Sequence, residues 1–398
     1  MRRGAWHQCG DRSQLLVAEQ LEQGAGVGVI LSPRDLARPK ALEYAARYRA
    51  LGAETLLDHQ FYVPDFTNPK LNTYAISALR AGISTLNRVS DADLVEFENQ
   101  LRIDNQELGA TAVLAPAVVY EAGRMDIMQL NSRLFGAAKR VADQLRVPTY
   151  ATIVLGRSVT ASDVTMASVL SNATALNSDG WYFAFEFEEE RLPSSRDSVQ
   201  RCCSAGLTLA CTGKPVLHAY AGPLGLLSFG FGATGIGLGH NQKLWRFTRD
   251  HWQSPAGGQG GGGDAPPRFF SSALWGTIIY PDETVQLDAQ LRAQVLTPSP
   301  FCTAALTGRA WPRWDSGKHL VNVLASTFAQ MAAVQNPRAN AQAAIDRLSG
   351  AVTIHARIEQ AGLFLADSTN VYQDNWRLAM QDVLNGRSGD YDYLDLLR

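Results

Sequence analysis

Six short apolar runs, at residues 27–31, 54–57, 111–114, 150–155, 181–187 and 216–220, are enriched in β-branched and aromatic residues, end in a polar residue or two and lead into segments of helical character. Few folds accommodate that rhythm. Strands buried on both faces read as continuous apolar runs, and alternation of strand with helix pairs them in parallel, so the pattern predicts an α/β fold, a (β/α)8 TIM-like barrel with a helical C-terminal region. Such barrels carry their chemistry on the loops after the strands, which directs attention to the polar residues closing each run.

Residues 234–238 are strand-like, and residues 275–280 are expected to be the eighth strand, resuming after a glycine-rich insertion at 253–267. That insertion has too little apolar surface to offset its ordering entropy and is expected to be a flexible loop. From about residue 316 the pattern is helical, with Leu320, Val323, Leu324, Phe328 and Met331 at helical spacing. The expected division is an N-terminal extension at 1–23, a barrel at 24–295 and a helical region at 296–398. Gly52 ends one predicted helix, and Ser162 and Ser195 stand where caps of two others belong.

With 398 residues, 46% of them hydrophobic and 19% charged, the chain can bury one large core. No run of eighteen apolar residues occurs and the first residues turn polar at once, so neither a membrane span nor secretion is expected, and the expected setting is cytoplasmic. A net charge of −2 gives no global pull on nucleic acid, so any RNA or DNA contact must come from a local patch. Cys9, Cys202, Cys203, Cys211 and Cys302 form no CxxC and are odd in number, which fits reduced, buried thiols. Neither a metal site nor a cofactor is expected. Gly230-Phe231-Gly232-Ala233-Thr234-Gly235 matches GxGxxG in form, but a short helix precedes it and a strand follows, the reverse of a dinucleotide site, so a tight turn is expected.

Lys214-Pro215-Val216-Leu217-His218-Ala219-Tyr220-Ala221-Gly222-Pro223, followed by Gly232-Ala233-Thr234-Gly235-Ile236, resembles the late-barrel segment of the tRNA-guanine transglycosylases. Leu57-Asp58-His59-Gln60-Phe61 resembles that family's Asp-Ser-Gly-Gly-Phe segment, Trp275-Gly276-Thr277-Ile278-Ile279 its Asn-Gly-Thr strand, and Pro300-Phe301-Cys302 with His319-Leu320-Val321 its zinc-binding tail. The resemblance spans roughly residues 24–330. It implies a transferase that exchanges a base at a glycosidic bond in nucleic acid, with Asp58 retained. The departures matter as much: the family's nucleophilic aspartate falls near Gly237, its base-recognising glutamine near Leu155 and its second recognising aspartate near Ala117. Three of the four zinc ligands have no counterpart, so no structural zinc is expected.

If that chemistry persists, another carboxylate must attack the sugar, and Glu186, which shares a strand face with Glu188, is the candidate to pair with Asp58. Surface charge is the competing reading, favoured for Glu189 and Glu190. His218 and Tyr220 are expected to share a face at a strand end, His218 being either catalytic or a satisfied structural histidine. Ser32, Arg34, His59, Gln60, Tyr120, Arg157, Tyr220, Gly222 and His240 are the substrate-binding candidates, the arginines suiting a phosphate or carboxylate, or else solvent. Lys243, Arg246 and Arg249 interleave with Trp245, Phe247 and Trp252, which suits nucleic-acid phosphates and stacked bases, or equally an amphipathic helix with its aromatics packed on the barrel.

Three functions follow: base exchange by Asp58, Glu186 and His218; a non-catalytic barrel homologue, in a homo- or hetero-oligomer, that binds nucleic acid or a partner subunit; and a barrel enzyme for a small anionic substrate. Two carboxylates about 5 to 10 Å apart across the barrel mouth favour glycosidic chemistry. A plugged mouth favours binding.

Overall fold

The computed structural model describes residues 1–10, 12–66, 68–79, 90–188, 192–240, 242–252, 266–368 and 370–397. Glu189, Glu190 and all but the last two residues of the glycine-rich insertion lie outside the described residues.

Eight parallel strands, β1 (Gly4–Cys9), β2 (Gly28–Leu31), β3 (Glu54–Leu57), β4 (Val113–Leu114), β5 (Thr149–Leu155), β6 (Gly180–Phe185), β7 (Val216–His218) and β8 (Gly235–Leu238), form one sheet in the order β3-β2-β1-β8-β7-β6-β5-β4. Beside its two ends, the Thr111 N–H donates to Thr55 O at 2.8 Å, so the sheet nearly closes into a barrel. Helices Gln14–Glu22, Arg38–Ala50, Asp91–Leu108, Met125–Leu145, Asp163–Thr174 and Arg196–Ala210 lie between successive strands, and Arg313–Ala333, Pro337–Gln360, Asn370–Gly386 and Ser388–Leu396 make up the C-terminal region. Local chemistry sets their ends. Ser90 and Asp93 form a reciprocal capping box and Gly109 closes the same helix at φ 62, while Ser162 and Ser195 cap theirs as their positions predict.

The barrel differs from the expected one in two places. Residues 1–23 are no extension: β1 sits in the middle of the sheet, Trp6 opposite Gly28 of β2 on one side and Gly237 of β8 on the other. Residues 275–280 are no barrel strand: β10 (Gly276–Ile279) pairs antiparallel with β9 (Arg268–Ser271) in a separate two-stranded ribbon. The barrel therefore runs from residue 4 to residue 238.

Period-two alternation separates the two sides of the wall. Trp6, Ile30, Leu56, Leu114, Tyr150, Val154, Tyr182, Ala184 and Leu217 pack together inside, while Val29, Leu57, Ile153, Phe183, Val216 and Ile236 face the surrounding helices. Large inner side chains are matched by glycines. A Cβ on Gly28 or Gly235 would lie 2.5 Å or 2.9 Å from the Trp6 indole, and one on Gly180 would lie 2.6 Å from the Tyr150 ring.

Candidate functional site

Asp58, one residue past the end of β3, is the polar centre of the C-terminal end of the barrel. It is buried, and its Oδ2 accepts hydrogen bonds from the hydroxyls of Tyr62 (2.7 Å), Tyr182 (2.9 Å) and Tyr220 (3.3 Å), while Oδ1 accepts from the Gln60 N–H (3.0 Å). Burial pushes the Asp58 carboxyl above the usual carboxylate range, although the bonds from Tyr62, Tyr182 and Gln60 pull it back. The same burial, with the carboxylate beside them, pushes all three tyrosine hydroxyls well above their ordinary value, so they stay protonated donors.

Gln60 and Tyr220 both hold left-handed backbones, φ 55 and 53, a conformation that costs non-glycine residues of order 1 kcal/mol and persists only where surroundings impose it. The constraint is mutual. Gln60 Nε2 donates to Tyr220 Oη at 3.1 Å, Ser32 Oγ lies 3.0 Å from Gln60 Oε1, and the Tyr220 N–H donates to Gln8 Oε1 at 2.7 Å. The bend at Tyr220 also breaks strand alternation. Tyr220 turns in toward Asp58, whereas His218 stays outside the barrel, so the two do not share a face as expected.

Above Asp58 the barrel axis is plugged. Tyr62, Phe247 and Trp252 meet with ring centroids 5.0 to 5.2 Å apart, and Tyr220 packs 5.6 Å from Phe247. Access lies to one side. A crevice of about 10 Å³, lined by Gln8, Ser32, Asp58, Gln60 and Tyr220 among others, is close to the space of one water. It shares Gly10, Asp35 and Leu244 with a cavity of about 900 Å³ between the ends of β1, β2 and β8 and the C-terminal region. Among the described residues Arg12, Arg34, Lys243, Arg268 and Arg313 line that cavity, with Asp35 as the one lining carboxylate. His240 and Trp314 stand on its wall, their ring centroids 6.4 Å apart.

Glu186 serves a different purpose from the expected one. It is buried, Oε2 accepts from the Arg157 N–H (3.0 Å), Oε1 accepts from the Arg249 N–H (3.0 Å), and Arg249 Nε lies 3.1 and 3.0 Å from the two oxygens. Arg249 also pairs with Glu121, and Arg157 reaches Thr248 Oγ1 at 3.4 Å. Both carboxylate oxygens are thus engaged, and Glu186 stitches the loops after β5 and β8 to the end of β6.

Several candidates fall away from the mouth. His218 is sandwiched between Phe183 and Phe231, its Nδ1 2.8 Å from Ser228 Oγ and its Nε2 3.9 Å from Cys202 Sγ. His59 turns out toward the helix Asp91–Leu108, with Nε2 3.8 Å from Asp104. Tyr120 belongs to the outer core, where burial pushes its hydroxyl up to about 12. Gly222 is a packing position: at φ 47 a Cβ there would sit 2.6 Å from Trp245 Cβ. Residues 242–252 form no continuous amphipathic helix but two short turns, Gln242–Leu244 and Arg249–Trp252, with Trp245, Phe247 and Trp252 all buried. Of the three nucleic-acid candidates Lys243 lines the cavity, Arg246 is buried and Arg249 is held by Glu186 and Glu121.

The transglycosylase positions are filled differently too. A Cβ at Gly237 would lie 2.9 Å from both Ala219 Cα and Gln8 Oε1, which leaves no room for an aspartate. Cys302 and His319 both engage Ser299: its N–H donates to Cys302 Sγ at 3.1 Å and its Oγ lies 2.8 Å from His319 Nδ1, while His319 Nε2 is 2.9 Å from Phe270 O. Among the described residues no three His, Cys, Asp or Glu side chains gather as a metal site, and no helix is long and apolar enough to cross a membrane.

Burial of histidine gives a pH prediction. His218 is lowered to about 3, and His7, His251, His319 and His355 to about 4, chiefly by desolvation. Between about pH 6.5 and 4 the unfolded chain binds more protons than the folded one, so stability rises with pH there, by up to about 1.4 kcal/mol per pH unit per histidine. Urea midpoints should be level above about pH 7 and fall steeply toward pH 5. A level midpoint down to pH 5 would contradict this burial.

Residues that sequence reasoning missed include Tyr62, Tyr182, Gln8, Arg268, Arg313 and Trp314. Tyr182 was visible as the polar tip within an apolar strand. Tyr62 stands on the loop after β3, and the others are brought to the site by β1 and the segments that follow the barrel.

No protein-family model and no curated protein sequence matches the chain. Among solved structures it is similar to the endo-β-1,4-mannanase from Thermotoga petrophila (9% identity, TM-score 0.45, 82% of this chain and 77% of that one). It is also similar to an L-ribulose 3-epimerase (14% identity, TM-score 0.35, 91% and 99%) and to the YdjI aldolase from Escherichia coli K12 (12% identity, TM-score 0.33, 60% and 76%).

Proposed function

We propose that this chain is a barrel enzyme that acts by general acid–base chemistry on a small anionic substrate. One observation carries the reading: the cation-lined cavity of about 900 Å³ shares a wall with the crevice that ends on Asp58. The cavity has the size of a small-molecule site and the charge to hold an anion. The crevice admits a group the size of one oxygen to a carboxyl whose raised pKa suits it to hold and return a proton. In this reading Tyr220, which also lines the crevice, donates to the substrate oxygen while Asp58 exchanges the proton, and Gln60 fixes the Tyr220 hydroxyl. Base exchange has less support, because Arg249 holds the Glu186 carboxylate in an ion pair and Gly237 has no room for a carboxylate.

The test is a panel of small phosphates and carboxylates, assayed for binding by thermal shift and for conversion by mass spectrometry. Asp58→Asn should lower turnover about 10²- to 10⁴-fold while ligand affinity stays within about threefold. It should also cost about 1–3 kcal/mol of stability, since its amide group presents a donor either to a tyrosine hydroxyl or to the Gln60 N–H. Full turnover by Asp58→Asn would sink the assignment of Asp58. Binding without conversion by the wild type would leave an anion-binding barrel, a role that the aromatic plug also suits.

A further inference from the structure

The cavity's walls say more about its ligand than its charge sign. We infer that it takes a nucleotide, with the phosphate on the Lys243, Arg313 and Arg34 side and the base against Trp314; this rests on the small-anion reading above and narrows it.

The first observation is the charge balance. Among the described residues the lining carries Arg12, Arg34, Lys243, Arg268 and Arg313 beside one carboxylate, Asp35, and Arg268 is already paired with Asp367. A carboxylate ligand would neutralise one charge, whereas a phosphate monoester brings about two near pH 7 and accepts hydrogen bonds on three oxygens. The first turn of helix Arg313–Ala333 adds to the same wall, and its N-cap, Pro312, supplies no side-chain acceptor for the helix amides.

The second observation is aromatic and independent of charge. Trp314 stays 40% exposed on the cavity wall, steadied edge-on by His240 at 6.4 Å with the ring planes 64° apart. A half-exposed indole with an edge-on neighbour offers a stacking surface, and base stacking on an aromatic ring is worth about 1–3 kcal/mol. Size agrees, since about 900 Å³ is far more than a three- or four-carbon phosphate fills and suits a phosphate, a sugar and a ring together.

The experiment uses the full chain and titrates AMP, UMP, ribose 5-phosphate, adenosine and a single-stranded RNA oligomer by calorimetry and tryptophan fluorescence. The nucleotides should bind at least about tenfold more tightly than ribose 5-phosphate or adenosine, as expected when stacking and charge act together. Trp314→Ala should weaken the nucleotides by about tenfold and leave ribose 5-phosphate within about twofold. The double variant Lys243→Ala, Arg313→Ala should weaken both phosphates by about tenfold or more and leave adenosine unchanged, with circular dichroism showing each variant folded. Ribose 5-phosphate binding as tightly as AMP, or indifference of AMP to Trp314→Ala, overturns the nucleotide while the small-anion reading stands. No binding by any phosphate overturns both. Displacement of AMP by the RNA at far lower concentration overturns the free nucleotide in favour of a polymer.

Discussion

Arg249→Ala is expected to destabilise the protein by about 3–5 kcal/mol, the cost of leaving a buried charge without its partner. Glu186 has 1% of its side chain exposed and takes both of its side-chain bonds from Arg249; what remains to it are two backbone amides and Arg157 Nε at 3.8 Å. Glu186→Gln should cost less, because the Arg249 side chain is 33% exposed and can turn to water. Urea unfolding at pH 7.5 measures both. A stable Arg249→Ala that loses affinity for RNA would instead mark Arg249 as a nucleic-acid contact, the role its sequence neighbourhood suggested.

Trp6→Ala should cost about 3–5 kcal/mol as well, through a cavity that the barrel cannot refill. The indole is fully buried, its Nε1 donates to Arg2 O at 3.3 Å, and the facing positions on both neighbouring strands are glycines with no side chain to move into the gap. A loss below about 1 kcal/mol would mean that β1 contributes little to the barrel, as a dispensable N-terminal extension would.

The two variants probe what the sequence left hidden. β1 reads Gly4-Ala5-Trp6-His7-Gln8-Cys9, and its glycine, histidine and glutamine disguise a fully buried strand. Both polar side chains find tertiary partners: His7 Nε2 lies 2.5 Å from Ala25 O and Gln8 Oε1 accepts from the Tyr220 N–H. Conversely, Trp275 to Tyr280 has the composition of a core strand, yet it follows the ribbon strand β9 directly and pairs with it. Apolar strands look alike whether they close a barrel or fold back as a hairpin, and only the partner decides.

The site divides in the same way. Asp58, Gln60, Ser32 and Tyr220 were legible because each closes or follows a predicted strand, and parallel strands bring their ends to one mouth. Arg34 and His240 were named as substrate-binding candidates and Lys243 as a cation for a nucleic-acid phosphate, and all three line the cavity. The opposite fates of His218 and Tyr220 were not, because a single left-handed residue reverses which way the chain faces.

The sequence by itself determined the parallel β/α rhythm, the helical C-terminal region and the strand-end polar residues, since hydrophobic periodicity and capping are local properties. Tertiary structure alone decided that β1 completes the barrel, that three tyrosines from different segments converge on Asp58, and that Glu186 is bound rather than free. It alone set helix Arg313–Ala333 against the mouth to make a basic cavity. Those outcomes depend on contacts between residues far apart in the chain, where the identity of one residue carries no trace of the partner that will satisfy or displace it.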